Sequence, residues 1–198
     1  AQIQSLSATQ LAGLTSAQMS TLATSSLVAL TTGQFATLTA AQLNGAGSNI
    51  AKAETQDVAS INAGVVAGLS TSTVQTLTSD QAKALTKAQI SAMNSAQINA
   101  LDTDLAKLET DRIASINASA LSGLSTGLLA SLTTSQLQAL TDAQIRNLST
   151  DQVSSMSTEK LVALTTLQAR SLTADQINAI DSAKLAKMET ADVAAINA

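Results

Sequence analysis

Four carboxylates stand close together in the middle of the chain: Asp102, Asp104, Glu109 and Asp111. Carboxylate oxygens are the donors that Ca²⁺ takes, and this is the densest acidic group in the sequence. The spacing matches neither an Asp-x-Asp-x-Asp-Gly loop nor a Gly-Gly-x-Gly-x-Asp nonapeptide. The fitting expectation is a solvated face, or pairing with Lys107. Lys160 and Lys184 invite a Ser-Lys catalytic reading, but both occupy a repeat position that elsewhere holds Gln, so they read as variants of a helix cap. Asn117-Ala118-Ser119 and Asn147-Leu148-Ser149 match the N-glycosylation pattern, yet both fall on the repeat, which accounts for them without modification. There is no Walker-type or dinucleotide Gly loop. The chain has no His, Cys, Tyr, Trp or Pro, and its one aromatic is Phe35. The usual general bases and activated nucleophiles are therefore missing. Zero Cys also excludes disulfides and thiolate metal sites. We expect no catalytic, cofactor-binding or metal-binding residue, and no enzyme.

The partners are bounded in the same way. Ten basic against 14 acidic residues give a net charge of −4 and a pI near 4.6. That balance disfavours nucleic acid and anionic membranes, which need clustered Lys and Arg. No apolar run approaches the length of a bilayer span, so no membrane insertion is expected. The first residues carry neither a charged n-region nor an apolar h-region, so no signal peptide is read there. Both ends fall inside the repeat pattern, and the chain is expected to be a fragment of something longer.

What orders the chain is an eight-residue beat. Leu6, Leu14, Leu22, Leu30 and Leu38 are each eight apart; the beat resumes at Ile61 and runs to Leu101, then from Ile116 to Ile196. A typical unit is Leu132-Thr133-Thr134-Ser135-Gln136-Leu137-Gln138-Ala139. The second position is Ser, Thr, Asn or Asp in most units, Asp102 and Asp181 included. Gln follows three residues later at Gln10, Gln18, Gln34, Gln42, Gln81, Gln89, Gln97, Gln136, Gln144, Gln152, Gln168 and Gln176. Ser/Thr-x-x-Gln is a capping box: the hydroxyl accepts from the backbone N–H three residues on, and the Gln reaches back to the cap's own N–H. One such match is weak; a dozen in register predict that each octad starts a new short helix. A continuous helix is disfavoured, because at about 100° per residue eight residues leave the apolar stripe about 80° out of phase. Restarting at each Thr turns the Leu and the sixth-position residue (Leu137, Ile145, Val153) inward again. Phe35 fills that same apolar position and reads as core. The fold class is all-α: a solenoid or superhelix of short capped helices, stabilised by neighbour contacts along the stack. A β-solenoid of three octads per coil is the alternative, although Gln and Ala are poor strand formers.

A longer period lies over the octads. Residues 54–63, 109–118 and 189–198 repeat one marker, Glu-Thr-x-x-(Val/Ile)-Ala-x-Ile-Asn-Ala, each with a Lys two residues before its Glu (Lys52, Lys107, Lys187). Gly13, Gly68 and Gly123 are 55 apart. Residues 1–198 thus form a single repeat solenoid of superrepeats 6–60, 61–115 and 116–195. The first two contain a unit one residue short, at 46–52 and 101–107. The lengths 55 and 80 differ by three octads plus that residue, which predicts about three octads per superhelical turn. At the markers Glu replaces the Thr cap, which predicts that two octads fuse into one longer helix, for instance about 182–196, with Asn62, Asn117 and Asn197 as left-handed C-caps. The Gly-bearing units that follow (Gly64, Gly68, Gly123, Gly127) read as joints between blocks.

Strings such as Leu172-Thr173-Ala174-Asp175-Gln176-Ile177 look locally like the start of a TAL-effector DNA-binding repeat. That family's period, basic surface and base-reading loop are missing, so a DNA reading is rejected. In repeat style, acidity, absent Cys and scarce aromatics the whole chain resembles the Ser/Thr/Ala-rich tandem-repeat regions of very large bacterial surface and secreted proteins, the adhesin-like class. The resemblance implies an extracellular or cell-surface rod that spaces other modules. Three expectations follow: a structural spacer or stalk; a protein-binding α-solenoid whose partner is an unknown protein or surface ligand; or an ice- or surface-binding β-solenoid bearing a regular Thr ladder. End-to-end contact with further repeats is also expected.

Overall fold

The computed structural model describes residues 2–188 and 190–196. Among these residues the secondary structure is helical throughout, in pieces of four to seven residues, with no strand. The chain is an all-α solenoid, and the β-solenoid alternative is overturned. With it goes the exposed Thr ladder, because the Thr hydroxyls are engaged as helix caps.

The typical unit shows why the helices stay short. Thr133 sits before helix Thr134–Gln138 with φ −70° and ψ 162°, an extended conformation that cannot continue the preceding helix. Its hydroxyl accepts from the Gln136 N–H at 3.2 Å, and its own N–H donates to Gln136 Oε1 at 2.8 Å. The same reciprocal pair closes the start of a helix at each of the twelve glutamines named above. Each extended step re-aims the next helix, so the two apolar positions of every unit point inward. Leu137, Ile145 and Val153 are sealed from solvent, as are Leu132, Leu140 and Leu148. Phe35 is completely buried in the same slot. The result is one narrow core of Leu, Ile, Val, Met and Ala running along the stack.

Elements three units apart pack on each other: Ser16–Thr21 on Ala40–Ala46, Ala63–Val66 on Lys87–Ala92, Thr150–Ser154 on Ala174–Ala179. Side-chain bonds also reach further back, spanning 28 to 31 residues from Gln152 to Leu124 and Leu121. Each unit therefore rests between the units three and four before it. The helix pairs that pack on each other are three units apart, so about three octads make a turn, as expected.

The two short units take a different form. Gly47–Lys52 and Asp102–Lys107 are 3-10 helices. A 3-10 helix rises about 2.0 Å per residue against about 1.5 Å for an α-helix, so it stretches seven residues over the space of eight. Each opens on a positive φ, 54° at Gly47 and 47° at Asp102. Asp102 is thus not a helix cap as its position in the octad suggests; the missing residue forces the chain through the left-handed region there.

The markers also differ from expectation. The 182–196 stretch is not one helix: Ser182–Leu185 ends in a turn, and Thr190–Ile196 is separate, with Glu189 outside the described residues. Glu54 and Glu109 have extended backbones and precede new helices, Thr55–Ser60 and Thr110–Ile113. Extended φ/ψ at the Glu breaks the helix as effectively as at Thr. Asn62 and Asn117 are N-caps, not left-handed C-caps. Their φ values are −58° and −60°, and their Oδ1 atoms accept from the N–H two residues on, at Gly64 and Ser119. A short Asn side chain satisfies the next helix's free N–H groups, which outweighs its tolerance for the left-handed region. Asn197 lies outside the described residues. Gly68 and Gly123 serve close approach: a Cβ would come within 2.8 Å of Ala40 Cβ and 2.5 Å of Ser95 Cβ respectively.

Candidate functional site

The most organised polar feature is a file of glutamine amides between turns. Each amide has two ends with two tasks. In Gln144 the Oε1 accepts from the Thr141 N–H at 2.7 Å, capping its own helix. The Nε2 donates to Ala114 O at 3.0 Å and Ile116 O at 2.6 Å, on the preceding turn. Those carbonyls lie at helix ends, where no intrahelical donor remains. Gln81, Gln89, Gln97, Gln152, Gln168 and Gln176 repeat the arrangement. From Gln42 to Gln176 these residues are at most 3% exposed. The capping half was legible from spacing; the inter-turn half was not, because the octad says nothing about which residue lies 28 positions earlier in space.

Substitutions separate the two halves. Lys160 Nζ donates to Ala130 O at 2.6 Å and to Leu132 O, and Lys184 Nζ to Ser154 O at 2.9 Å and Met156 O at 2.8 Å. A lysine keeps the inter-turn bonds but has no acceptor for the cap N–H. Burial pushes the Lys160 ammonium below the usual lysine range, with Glu159 opposing. Both ammonium groups are directed to backbone carbonyls, and Ser157 Oγ accepts from the Lys160 backbone N–H, as a cap does.

Where Gln is missing altogether, an Asn from an earlier turn supplies bonds. Asn44 Nδ2 donates to Gly68 O at 3.1 Å, while its Oδ1 accepts from the Ser70 N–H at 2.9 Å and the Thr73 hydroxyl at 2.9 Å. Asn99 does the same 55 residues later, with Gly123 O at 2.9 Å and Ser125 N–H at 3.0 Å. Sequence reading missed both; their 55-residue separation was the available signal.

The acidic group is resolved into ion pairs. Asp104 lies 2.8 Å from Lys107 Nζ and accepts from the Ser79 hydroxyl at 2.7 Å. Asp111 lies 3.0 Å from Lys87 Nζ and 2.9 Å from Arg112. Partial burial would raise the Asp104 pKa, but the bonds from Lys107 and Ser79 outweigh it and hold the carboxyl below its ordinary value. Asp111 is likewise lowered, first by its hydrogen bond from Lys87. Asp102 and Glu109 are exposed. Among the described residues no three His, Cys, Asp or Glu side chains are grouped to hold a metal ion. A hollow of about 580 Å³ is lined, among the described residues, by Leu185, Met188, Val193 and small side chains. The two Asn-x-Ser matches part ways: Asn117 Oδ1 accepts from the Ser119 hydroxyl at 2.7 Å, whereas Asn147 Nδ2 is spent on Ala143 O at 2.8 Å. Among the described residues no helix is long and apolar enough to cross a membrane.

Fold and ladder together define a tandem-repeat α-solenoid. Residues 126–158 and 134–166 each match the model of the ALTTAQ repeat family. The second match is the first displaced by one octad, as the eight-residue beat requires. The hexapeptide of that name differs at one position from Ala139-Leu140-Thr141-Asp142-Ala143-Gln144, a stretch holding a capping Thr and its ladder Gln. A comparison with curated proteins gives no match.

Proposed function

We propose that the chain is a non-enzymatic structural spacer or stalk segment of a bacterial surface or secreted repeat protein, adhesion-related in its setting. What supports this reading is the ladder of bonds between successive turns, from Gln34 to Lys184. Such a ladder runs from turn to turn along most of the stack instead of gathering side chains at one place. A repeat array of this kind grows by whole turns without changing its cross-section. Small-angle X-ray scattering tests it. Duplicating residues 132–155, three octads, lengthens the particle by about 10 Å, the spacing of packed helices. An unchanged maximum dimension with a thicker cross-section would refute a spacer. One observation favours protein binding as a second reading: Leu167 is 66% exposed beside Asp142, Arg146 and Arg170, more than Val28 at 40% among the described residues.

A further inference from the structure

The inter-turn bonds are not uniform along the stack. From Gln136 to Lys184, seven consecutive units donate to the preceding turn from the Gln position. The bonds of Gln152 to Leu121 and Leu124, and of Gln168 to Leu137 and Leu140, are buried. Two stretches of four units, 46–76 and 101–131, have no Gln at that position. Asp57, Val65 and Thr73 stand there in the first, and Arg112, Ala120 and Leu128 in the second. Contact with the preceding turn is then made at the rim. In the first stretch Thr24 bonds Asn49, Thr32 bonds Asp57, and Asn44 bonds Gly68 and Ser70. In the second Ser79 bonds Asp104, Arg112 bonds Leu85 O, and Asn99 bonds Gly123 and Ser125. Each of these is exposed or only part-buried, so water competes at the open partner of the bond, although Asp57 and Leu85 are themselves sealed.

The asymmetry within each stretch matters most. The turn at 101–131 is tied to the turn after it by the buried amides of Gln136, Gln144 and Gln152. Toward the turn before it the apolar packing continues, but the hydrogen bonds are the rim bonds, with Lys87–Asp111 and Lys107–Ser79 beside them. The turn at 46–76 is likewise held from above by Gln81, Gln89 and Gln97. Each stretch therefore belongs mechanically to the block that follows it. The chain enters each through the positive-φ residue Gly47 or Asp102.

We propose that the solenoid is segmented by two seams, at the faces where 46–76 and 101–131 meet their preceding turns. The seams open before any ladder-held turn does, with the chain pivoting at Gly47 and Asp102. The blocks so released, ending near residues 45 and 100, stay folded while the rod bends or lengthens. That consequence for a stalk under load rests on the spacer reading; the order of opening does not, and it is measurable without load.

Hydrogen exchange of the intact chain tests it. Amides of 101–131 exchange about tenfold faster than those of 132–170, together rather than singly, as one cooperative opening requires. Asn99→Ala speeds the whole 101–131 stretch about a further tenfold and leaves Ser70, at the other seam, unchanged. Leu128→Gln supplies the missing ladder amide and slows the same stretch; Thr73→Gln does so at the first seam, should Leu128→Gln fail to fold. Exchange that is uniform along 101–170, or an Asn99→Ala effect confined to Ser125, would overturn the seams. Neither result bears on the scattering test of the spacer.

Discussion

Units 132–155 and units 101–131 bury the same apolar positions, yet they are held differently. In the first, one residue per unit caps its helix and ties it to the previous turn. In the second the tasks are divided. Asn117 and Ser125 cap their helices, Asn99 reaches forward from an earlier turn, and charged pairs such as Lys87–Asp111 work at the rim. The difference teaches that Gln is retained in the octad for its two ends. Where either end is supplied otherwise, another residue takes the slot.

The comparison can be broken most sharply inside the regular stretch. Gln144→Met fills the volume but leaves the Thr141 N–H and the Ala114 and Ile116 carbonyls without their partner. Unpaired buried groups cost about 1–3 kcal/mol each, part of it relieved by water, so a loss of about 3 kcal/mol in urea unfolding is expected. In the irregular stretch the larger effect is steric. Gly123→Ala drives a Cβ to 2.5 Å from Ser95 Cβ. Overpacking of that kind costs about 2 kcal/mol, measured as a lowered unfolding midpoint.

Two substitutions sharpen the comparison in the stabilising direction. Lys160→Gln restores the acceptor for the Ser157 N–H and is expected to gain about 1 kcal/mol. The pH dependence distinguishes this from a general effect. Lys160 has a lowered folded pKa, so between that value and the unfolded value of about 10.4 the unfolded chain holds more protons. Stability of the unsubstituted chain therefore rises as pH climbs through that window, and Lys160→Gln abolishes the rise. Asp102→Gly relieves a positive φ and is expected to gain somewhat under 1 kcal/mol, the counterpart Gly47→Ala losing about 1 kcal/mol. Thermal melting of the pair checks both signs.

Much of this fold was legible in the sequence because its signals are local. Ser/Thr-x-x-Gln is a three-residue relation, and the 80° phase error over eight residues ruled out one long helix. The errors also have local causes. Glu54 and Glu109 lack the hydroxyl of a cap, but their extended backbones break the helix all the same. Asn62 and Asn117 can adopt a left-handed cap, but the next helix's free N–H groups claim them first. The Gln Nε2 bonds, the Asn44 and Asn99 clamps and the clearance at Gly123 join residues 24 to 31 apart. The octad alone does not specify how many units fill a turn, so these contacts had no signature beyond the 55-residue spacing of the two asparagines. The acidic group was expected to be a solvated face or paired with Lys107. Asp104 does meet Lys107, and Asp102 and Glu109 are exposed, while the partners Ser79 and Lys87 come from the preceding turn and had no local signal.

The central claim is that the ladder's amide nitrogen holds the turns together while its oxygen only caps. Gln→Glu isolates the nitrogen, because Glu keeps an acceptor for the cap N–H and removes the donor. Gln10 caps the helix Ala8–Ala12 and is exposed; Gln152 caps Thr150–Ser154 and donates to Leu121 and Leu124. Urea unfolding at pH 7 should leave Gln10→Glu unchanged or slightly stabilised, since a negative charge suits a helix N-terminus. Gln152→Glu should lose about 3 kcal/mol or more, because an unpaired carboxylate is forced against two buried carbonyls. Equal effects at the two positions would contradict the account.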